Sequence, residues 1–203
     1  MSLSQHTIKA GAWQLTAVAA RTAMQLLVLA ILARHVSPGE FGYIAIASMV
    51  LVFVEMLADA GIGPAIIQKR ELTERHINAG FFLSVLLGLL FFSVIWLGAP
   101  LIAVFFESAN LAAIVQWVGL SALVTKLSSV SRAKIEREMR FDILMWVDTV
   151  SYLFGFALVG IILALMNYGV WAIVAGKLVQ SSLQTVCLLI IRPSFTRLFF
   201  THR

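Results

Sequence analysis

The sequence predicts an all-α integral membrane protein built as a six-transmembrane-helix bundle, and three observations carry that prediction. Hydrophobic residues make up 61% of the chain and charged residues only 12%, with a mean hydropathy of +0.95, which leaves too little polar surface to cover a water-soluble globule. Six apolar segments, at about 11–33, 41–67, 77–106, 111–131, 143–166 and 170–191, are each long enough to cross a bilayer. Basic residues collect in alternate gaps between them, as membrane topology requires. Helices are the reading because only they satisfy their own backbone in lipid, and the alternating pattern of a barrel is absent from the sequence.

The first segment, 11–33, carries Gln14, Arg21 and Gln25 at offsets of seven and four, one stripe of a helix. Arg21 interrupts its apolar run, so it reads as a retained span rather than a cleavable signal. A polar turn from Arg34 to Glu40, with Pro38 and Gly39, leads to the second segment, which ends at Lys69 and Arg70. Within it Ser48, Glu55, Asp59 and Gly63 again fall on one face. Each ionised group there costs roughly 2.5 to 3.5 kcal/mol at mid-membrane depth. Tilt absorbs the long third segment, 77–106, in which Pro100 predicts a kink or an early exit.

After the fourth segment, 111–131, the stretch 132–142 mixes Ile135, Met139 and Phe141 with charges, which suits a short helix lying in the cytoplasmic interface and anchoring topology. Lys126 and Asp148 fall within about two turns of cytoplasmic span ends, where their side chains are expected to reach water. The sixth segment, 170–191, repeats the polar stripe with Lys177, Gln180 or Ser181, and Gln184. The last residues, PSFTRLFFTHR, start another amphipathic stretch.

Orientation follows from charge. One side collects Lys9, then Lys69, Arg70 and Arg75, then Arg132, Lys134, Arg137 and Arg140, then Arg192, Arg197 and Arg203; the other has Arg34 alone. Both termini are therefore expected in the cytoplasm. Trp96, Trp117 and Trp171 fall toward the opposite span ends, as an interfacial belt requires. The net charge of +5 is thus a topology signal and does not point to nucleic acid.

Other chemistry is sparse. The single cysteine, Cys187, allows no intrachain disulfide. His6, His35, His76 and His202 lie in termini or loops without metal-ligand spacing and read as solvated, so no metal is expected. There is no GxSxG, no Walker-type GxxxxGK[ST] and no HExxH, so neither an enzyme nor a cofactor is expected. What remains is a hydrophilic face on three helices at mid-membrane depth. A dry network could pair Arg21 and Lys177 with Glu55 and Asp59, but polar contacts in membranes supply only about 1 to 2 kcal/mol, a weak reason to accept buried charge. A hydrated central cavity, and so a conduit or carrier, is the expectation.

The runs GAWQLTAVAARTAMQLLVLAILARHVSPGEFGYIAIA, LADAGIGPAIIQKRELT, APLIAVFF, REMRF and YGVWAIVAGKL together resemble the N-terminal half of Wzx-type oligosaccharide flippases. These are polysaccharide exporters of the multidrug/oligosaccharidyl-lipid/polysaccharide superfamily. The resemblance covers all six segments in order and implies one lobe of a MATE-like exporter in the bacterial inner membrane. Its substrate would be a lipid-linked oligosaccharide, an undecaprenyl-pyrophosphate-linked repeat unit taken from membrane lipid on the cytoplasmic side. On that footing Arg21 and Lys177, with Gln25 and Gln184, are expected to bind substrate, and Glu55 and Asp59 to couple a proton or sodium. Family members have two such lobes, so a second six-helix lobe, from a homodimer or a separate chain, is an expected partner. A fragment or partner-dependent half is favoured over a homodimer, because RLFFTHR breaks off within what reads as the inter-lobe helix. The competing expectations are a cation-coupled exporter of small amphiphiles and a non-transporting membrane subunit or truncated product.

Overall fold

A computed structural model describes residues 22–58, 62–68 and 72–193. Arg21 and Asp59, along with Gln14, Lys69 and Arg70, lie outside the described residues. Every regular element described is helical. In chain order these are α1 (Thr22–His35), α2 (Pro38–Ala58), α3 (Ile62–Gln68), α4 (Glu74–Phe105), α5 (Ala109–Lys126) and α6 (Ser129–Arg137). They are followed by α7 (Phe141–Leu165) and α8 (Val170–Ile191). By length and composition α4, α5, α7 and α8 can each cross a membrane, while Thr22–His35 and Pro38–Phe53 are shorter apolar stretches.

The fold is inside out compared with a soluble protein. Leu86, Leu90, Leu97, Leu101 and Val104 of α4 are all exposed, an outer face suited to acyl chains rather than water. The inner contacts use smaller residues. In the main core Ala99 and Ala103 of α4, Ile114, Val118 and Ala122 of α5, Ala47 of α2 and Val174 of α8 come together. A second cluster joins Val28 and Leu32 of α1 to Ala157 and Ala164 of α7 and Ala172 of α8. Helices in lipid gain little from burying apolar surface, so close packing of small side chains is what draws them together.

The closest crossing is between α7 and α8. Its middle, Tyr152–Val159, winds as a π-helix, and Gly155 there lies directly against the backbone N and Cα of Gln180. Gly176 returns the contact on Phe156, where an added Cβ would sit 3.1 Å from the carbonyl oxygen. A side chain at Gly155 would have to push the two helices apart.

Three connections share one stop signal. At the ends of α4, α6 and α7, the residues Glu107, Met139 and Asn167 take positive φ values of 50°, 56° and 62°. The next N–H then reaches back five residues in each case, from Ser108 to Ala103, Arg140 to Ile135 and Tyr168 to Leu163, at 2.9, 3.2 and 3.1 Å. This is the Schellman arrangement, which satisfies carbonyls that the helix end would leave open. None of the three residues at these positive φ values is glycine.

Several expectations change. Pro100 neither ends α4 nor turns the chain out early, because the helix continues to Phe105. Proline lacks the N–H that would bond the carbonyl four residues back, which is Trp96. Gln116 of α5 supplies the missing donor, its Nε2 lying 3.2 Å from Trp96 O. The fourth apolar segment, read as 111–131, ends as a helix at Lys126, and its last residues already belong to α6. That short helix is no simple raft on the interface: Val130, Ala133 and Ile135 are buried, against Ile66 and Ile77 on one side and Leu144, Val147 and Leu188 on the other. At the start of α4 the His76 ring, in an exposed setting, lies with Nδ1 2.7 Å from the Thr73 hydroxyl.

Two outcomes test this packing. Gly155→Val should lower stability by about 1 to 3 kcal/mol, the usual cost of overpacking, read as an earlier thermal unfolding of the detergent-solubilised chain. Gln116→Leu should cost about 0.5 to 1.5 kcal/mol, the net worth of one hydrogen bond to Trp96 O, and Pro100→Ala in the same chain, which restores the helical donor, should recover most of that loss.

Candidate functional site

At the basic end of the bundle, α6 acts as a clamp. The Arg132 guanidinium meets both carboxylate oxygens of Asp148, each at 3.2 Å, and its Nε donates to Glu136 at 3.2 Å. Arg137 donates to the carbonyl of Ile66 in the last turn of α3 at 2.8 Å, where a cation suits the partial negative charge of a helix end. Lys134 donates to Pro193 O at 3.1 Å, and Arg192 reaches Glu138 at 2.7 Å. One nine-residue helix therefore holds the ends of α3 and α8 and the flank of α7. Asp148 was expected simply to reach water; it is instead 15% exposed and paired.

Gln184 belongs to this cluster. Its Nε2 donates to Asp148 Oδ1 at 2.7 Å, and one residue on, Thr185 donates to Val124 O at 2.9 Å and lies 3.3 Å from the Ser128 hydroxyl. The polar stripe of α8 thus divides. Its lower part ties α8 to α5 and α7, whereas Lys177, two turns earlier, is exposed on the outside of the bundle. Gln25 of α1 and Ser48 of α2 are exposed as well.

Glu55 is half-buried on α2 and lines a small cavity with Gly88 and Phe92 of α4 and Lys126 of α5. Lys126 was expected to snorkel, yet it is only 7% exposed. Gly88 makes the room, since a Cβ there would lie 3.0 Å from Lys126 Cβ and 3.2 Å from its Cγ. Among the described residues, the basic one lining this cavity with Glu55 is Lys126, and Lys177 does not line it. A sequence signal for this was present in Gly80, Ser84 and Gly88, small residues every four positions along α4, which mark a face that a neighbour can approach closely.

The opposite end has its own latch. Ser37 and Glu40 form a capping box at the start of α2: Ser37 N donates to Glu40 Oε2 at 2.8 Å and Glu40 N donates to Ser37 Oγ at 3.3 Å. The second carboxylate oxygen accepts from Val170 N, at the start of α8, at 3.1 Å. Gly169 comes so close to that carboxylate that a side chain would collide with it, and its φ of 53° lies where other residues are strained. One carboxylate thus caps two helices and joins two loops. The Ser37 backbone N–H, with lesser help from the Ser37 hydroxyl and Val170 N–H, outweighs burial and holds the Glu40 carboxyl below its ordinary range.

These features define a class: a multi-pass α-helical membrane protein with polar groups on helices at mid-bundle. The family follows from comparison with known sequences. The profile of a family described as "Polysaccharide biosynthesis protein" matches residues 31–202, and the chain belongs to that family. It is 31% identical over 188 residues to an uncharacterized membrane protein in the cps region of Klebsiella pneumoniae, covering 93% of this chain and 39% of that protein. It is 25% identical over 186 residues to the lipopolysaccharide biosynthesis protein WzxC of Escherichia coli K12, covering 92% and 38%. It is 22% identical over 169 residues to the succinoglycan biosynthesis transport protein ExoT of Rhizobium meliloti, covering 83% and 34%. The chain spans less than two-fifths of the length of each of these curated relatives. No solved structure matches it.

Because the Glu40 carboxyl is held below its ordinary range, its contribution to stability is present above the carboxylate's unfolded pKa, about 4.3, and is lost as pH falls through the lower folded value. Glu40→Gln should therefore unfold at a lower temperature than the parent chain at neutral pH, and the two melting curves should converge in acid.

Proposed function

We propose that this chain forms part of a flippase that carries a lipid-linked oligosaccharide, an undecaprenyl-pyrophosphate-linked repeat unit, across the bacterial inner membrane. The observation that carries the reading is family membership over residues 31–202, with relatives named for lipopolysaccharide biosynthesis and for succinoglycan transport. The chain contributes one six-helix lobe of MATE-like design with both termini in the cytoplasm. A second lobe, from another copy or another chain, closes the passage. The proposal involves translocation without bond-making, so no catalytic group is assigned.

The exposed polar residues support this use of the surface. Gln25, Ser48 and Lys177 are exposed on helices that otherwise present Leu, Ile and Phe. Toward acyl chains such groups are costly, and the cost vanishes where they line water or a charged head group. Lys177 and Arg21 meet the pyrophosphate or an acidic sugar, Gln25 and Gln184 hydrogen-bond the sugar unit, and Glu55 and Asp59 couple the step to a proton or sodium. A second reading, a membrane subunit that transports nothing, is favoured by one observation: Gln184 already spends its amide on Asp148, which is paired with Arg132.

Cysteines placed singly at Gln25, Ser48 and Lys177 separate the two. A water-soluble thiol reagent should label all three in native membranes if they line a passage, and silence at all three would favour the non-transporting subunit. In cells that depend on this chain for polymer export, Lys177→Ala and Arg21→Ala should each reduce export about tenfold or more, the loss of one charge-assisted contact of roughly 1.5 to 3 kcal/mol. Unchanged export with a stable protein would remove both binding roles.

A further inference from the structure

The cavity that Glu55 lines is partly open, walled mostly by apolar side chains, and has room for roughly one water. Its wall comes from three helices: Glu55 from α2, Gly88, Phe91 and Phe92 from α4, and Leu123 and Lys126 from α5. Lys126 as a whole is only 7% exposed, and a charge in such surroundings is stable only with compensating polar or charged neighbours. Among the described residues, the other titratable groups on α2 and the helices packed against it are Arg34, His35, Glu40, Tyr43, Glu74, Arg75, His76, Lys177 and Cys187. None of these lines the cavity. Among the described residues, Lys126 is the cation that lines the cavity with this carboxylate. It is there because α4 carries glycine at position 88, where even a methyl group would press on the lysine stem.

We infer that Lys126 is a built-in counter-cation for Glu55, sharing its cavity and competing with a proton or monovalent metal ion for the carboxylate. The inference rests on the reading of Glu55 as the coupling residue and adds how that coupling is regulated: cation uptake at Glu55 is opposed by a charge on α5, so it is tied to the packing of α2 against α4 and α5. With so little space, the compartment has no room for a hydrated metal ion beside the ammonium. Lys126 acts through Glu55 and touches no substrate, which makes it a positioning residue.

The test uses the full chain in phospholipid vesicles and dicyclohexylcarbodiimide, a reagent that modifies protonated carboxyls in apolar surroundings, with the adduct at residue 55 quantified by mass spectrometry. Removing a nearby opposite charge shifts a carboxyl by about 1 to 3 pK units, so Lys126→Met should raise Glu55 labelling at neutral pH about tenfold or more, and Lys126→Arg should leave it near the parent level. Lys126→Gln, closer in polarity, gives the same comparison should the methionine variant fail to fold. Equal labelling in the parent and neutralised chains overturns the inference. In the neutralised chain, protection by sodium but not by choline would make the competing cation a metal ion, and indifference to sodium would make it a proton. Labelling needs no transport, so the two readings fail separately: a tenfold rise with no sugar-lipid translocation retains the pair and sinks the flippase, while equal labelling with intact translocation does the reverse.

Discussion

Where Pro100 interrupts α4, the carbonyl of Trp96 loses its helical donor, and the Gln116 amide of α5 takes up that bond at 3.2 Å. The same requirement recurs throughout the bundle. A polar group left open in lipid costs several kcal/mol, and at several described helix ends backbone groups are met from within the chain. Schellman turns serve the ends of α4, α6 and α7, and the Glu40 carboxylate serves the starts of α2 and α8.

Stability is distributed accordingly. The two ends of the bundle are held by polar latches, with Arg132, Lys134 and Arg137 of α6 at one end and Glu40 at the other. The middle is held by close contact of small residues, above all Gly155 and Gly176 at the crossing of α7 and α8. The two devices have different consequences. Overpacking at the crossing acts on the contact of α7 with α8, whereas loss of a latch acts at one end of the bundle.

That division also bears on movement of cargo. Polar residues near the basic end, Gln184 and Asp148, are occupied with one another and with Arg132. Lys177 and Gln25 are instead exposed outside the packed interior, where a second lobe, water or a charged head group can meet them. Glu55 has a third kind of environment, a small and mostly apolar cavity that Lys126 also lines. The polar groups of the described helices thus have three different surroundings within one chain.

Much of this was legible in the amino acids. Hydropathy and charge distribution showed a helical membrane protein, and the runs from LARHVSPGEF to YGVWAIVAGKL carried the family resemblance, because loop residues and span residues recur together. The site was less legible. Helical spacing placed Ser48 and Glu55 on one stripe, and Lys177 and Gln184 on another, but spacing within a helix says nothing about which neighbour a stripe meets. Gln184 and Lys177 share a face and have different surroundings, one bonded to α7 and the other exposed. Lys126 looked able to reach water by its distance from the span end, and Gly88 of another helix decided otherwise.

By itself, then, the sequence determined that the chain is helical, lies in a membrane and belongs with polysaccharide-related proteins, since those properties follow from composition, period and local residue order. Tertiary structure alone decided that Gln116 completes α4, that Glu40 joins two loops and that Lys126 rather than Lys177 shares the Glu55 cavity. The physical reason is range: hydropathy and helix period act over a few residues, whereas hydrogen bonds and burial depend on which distant segment comes to lie alongside.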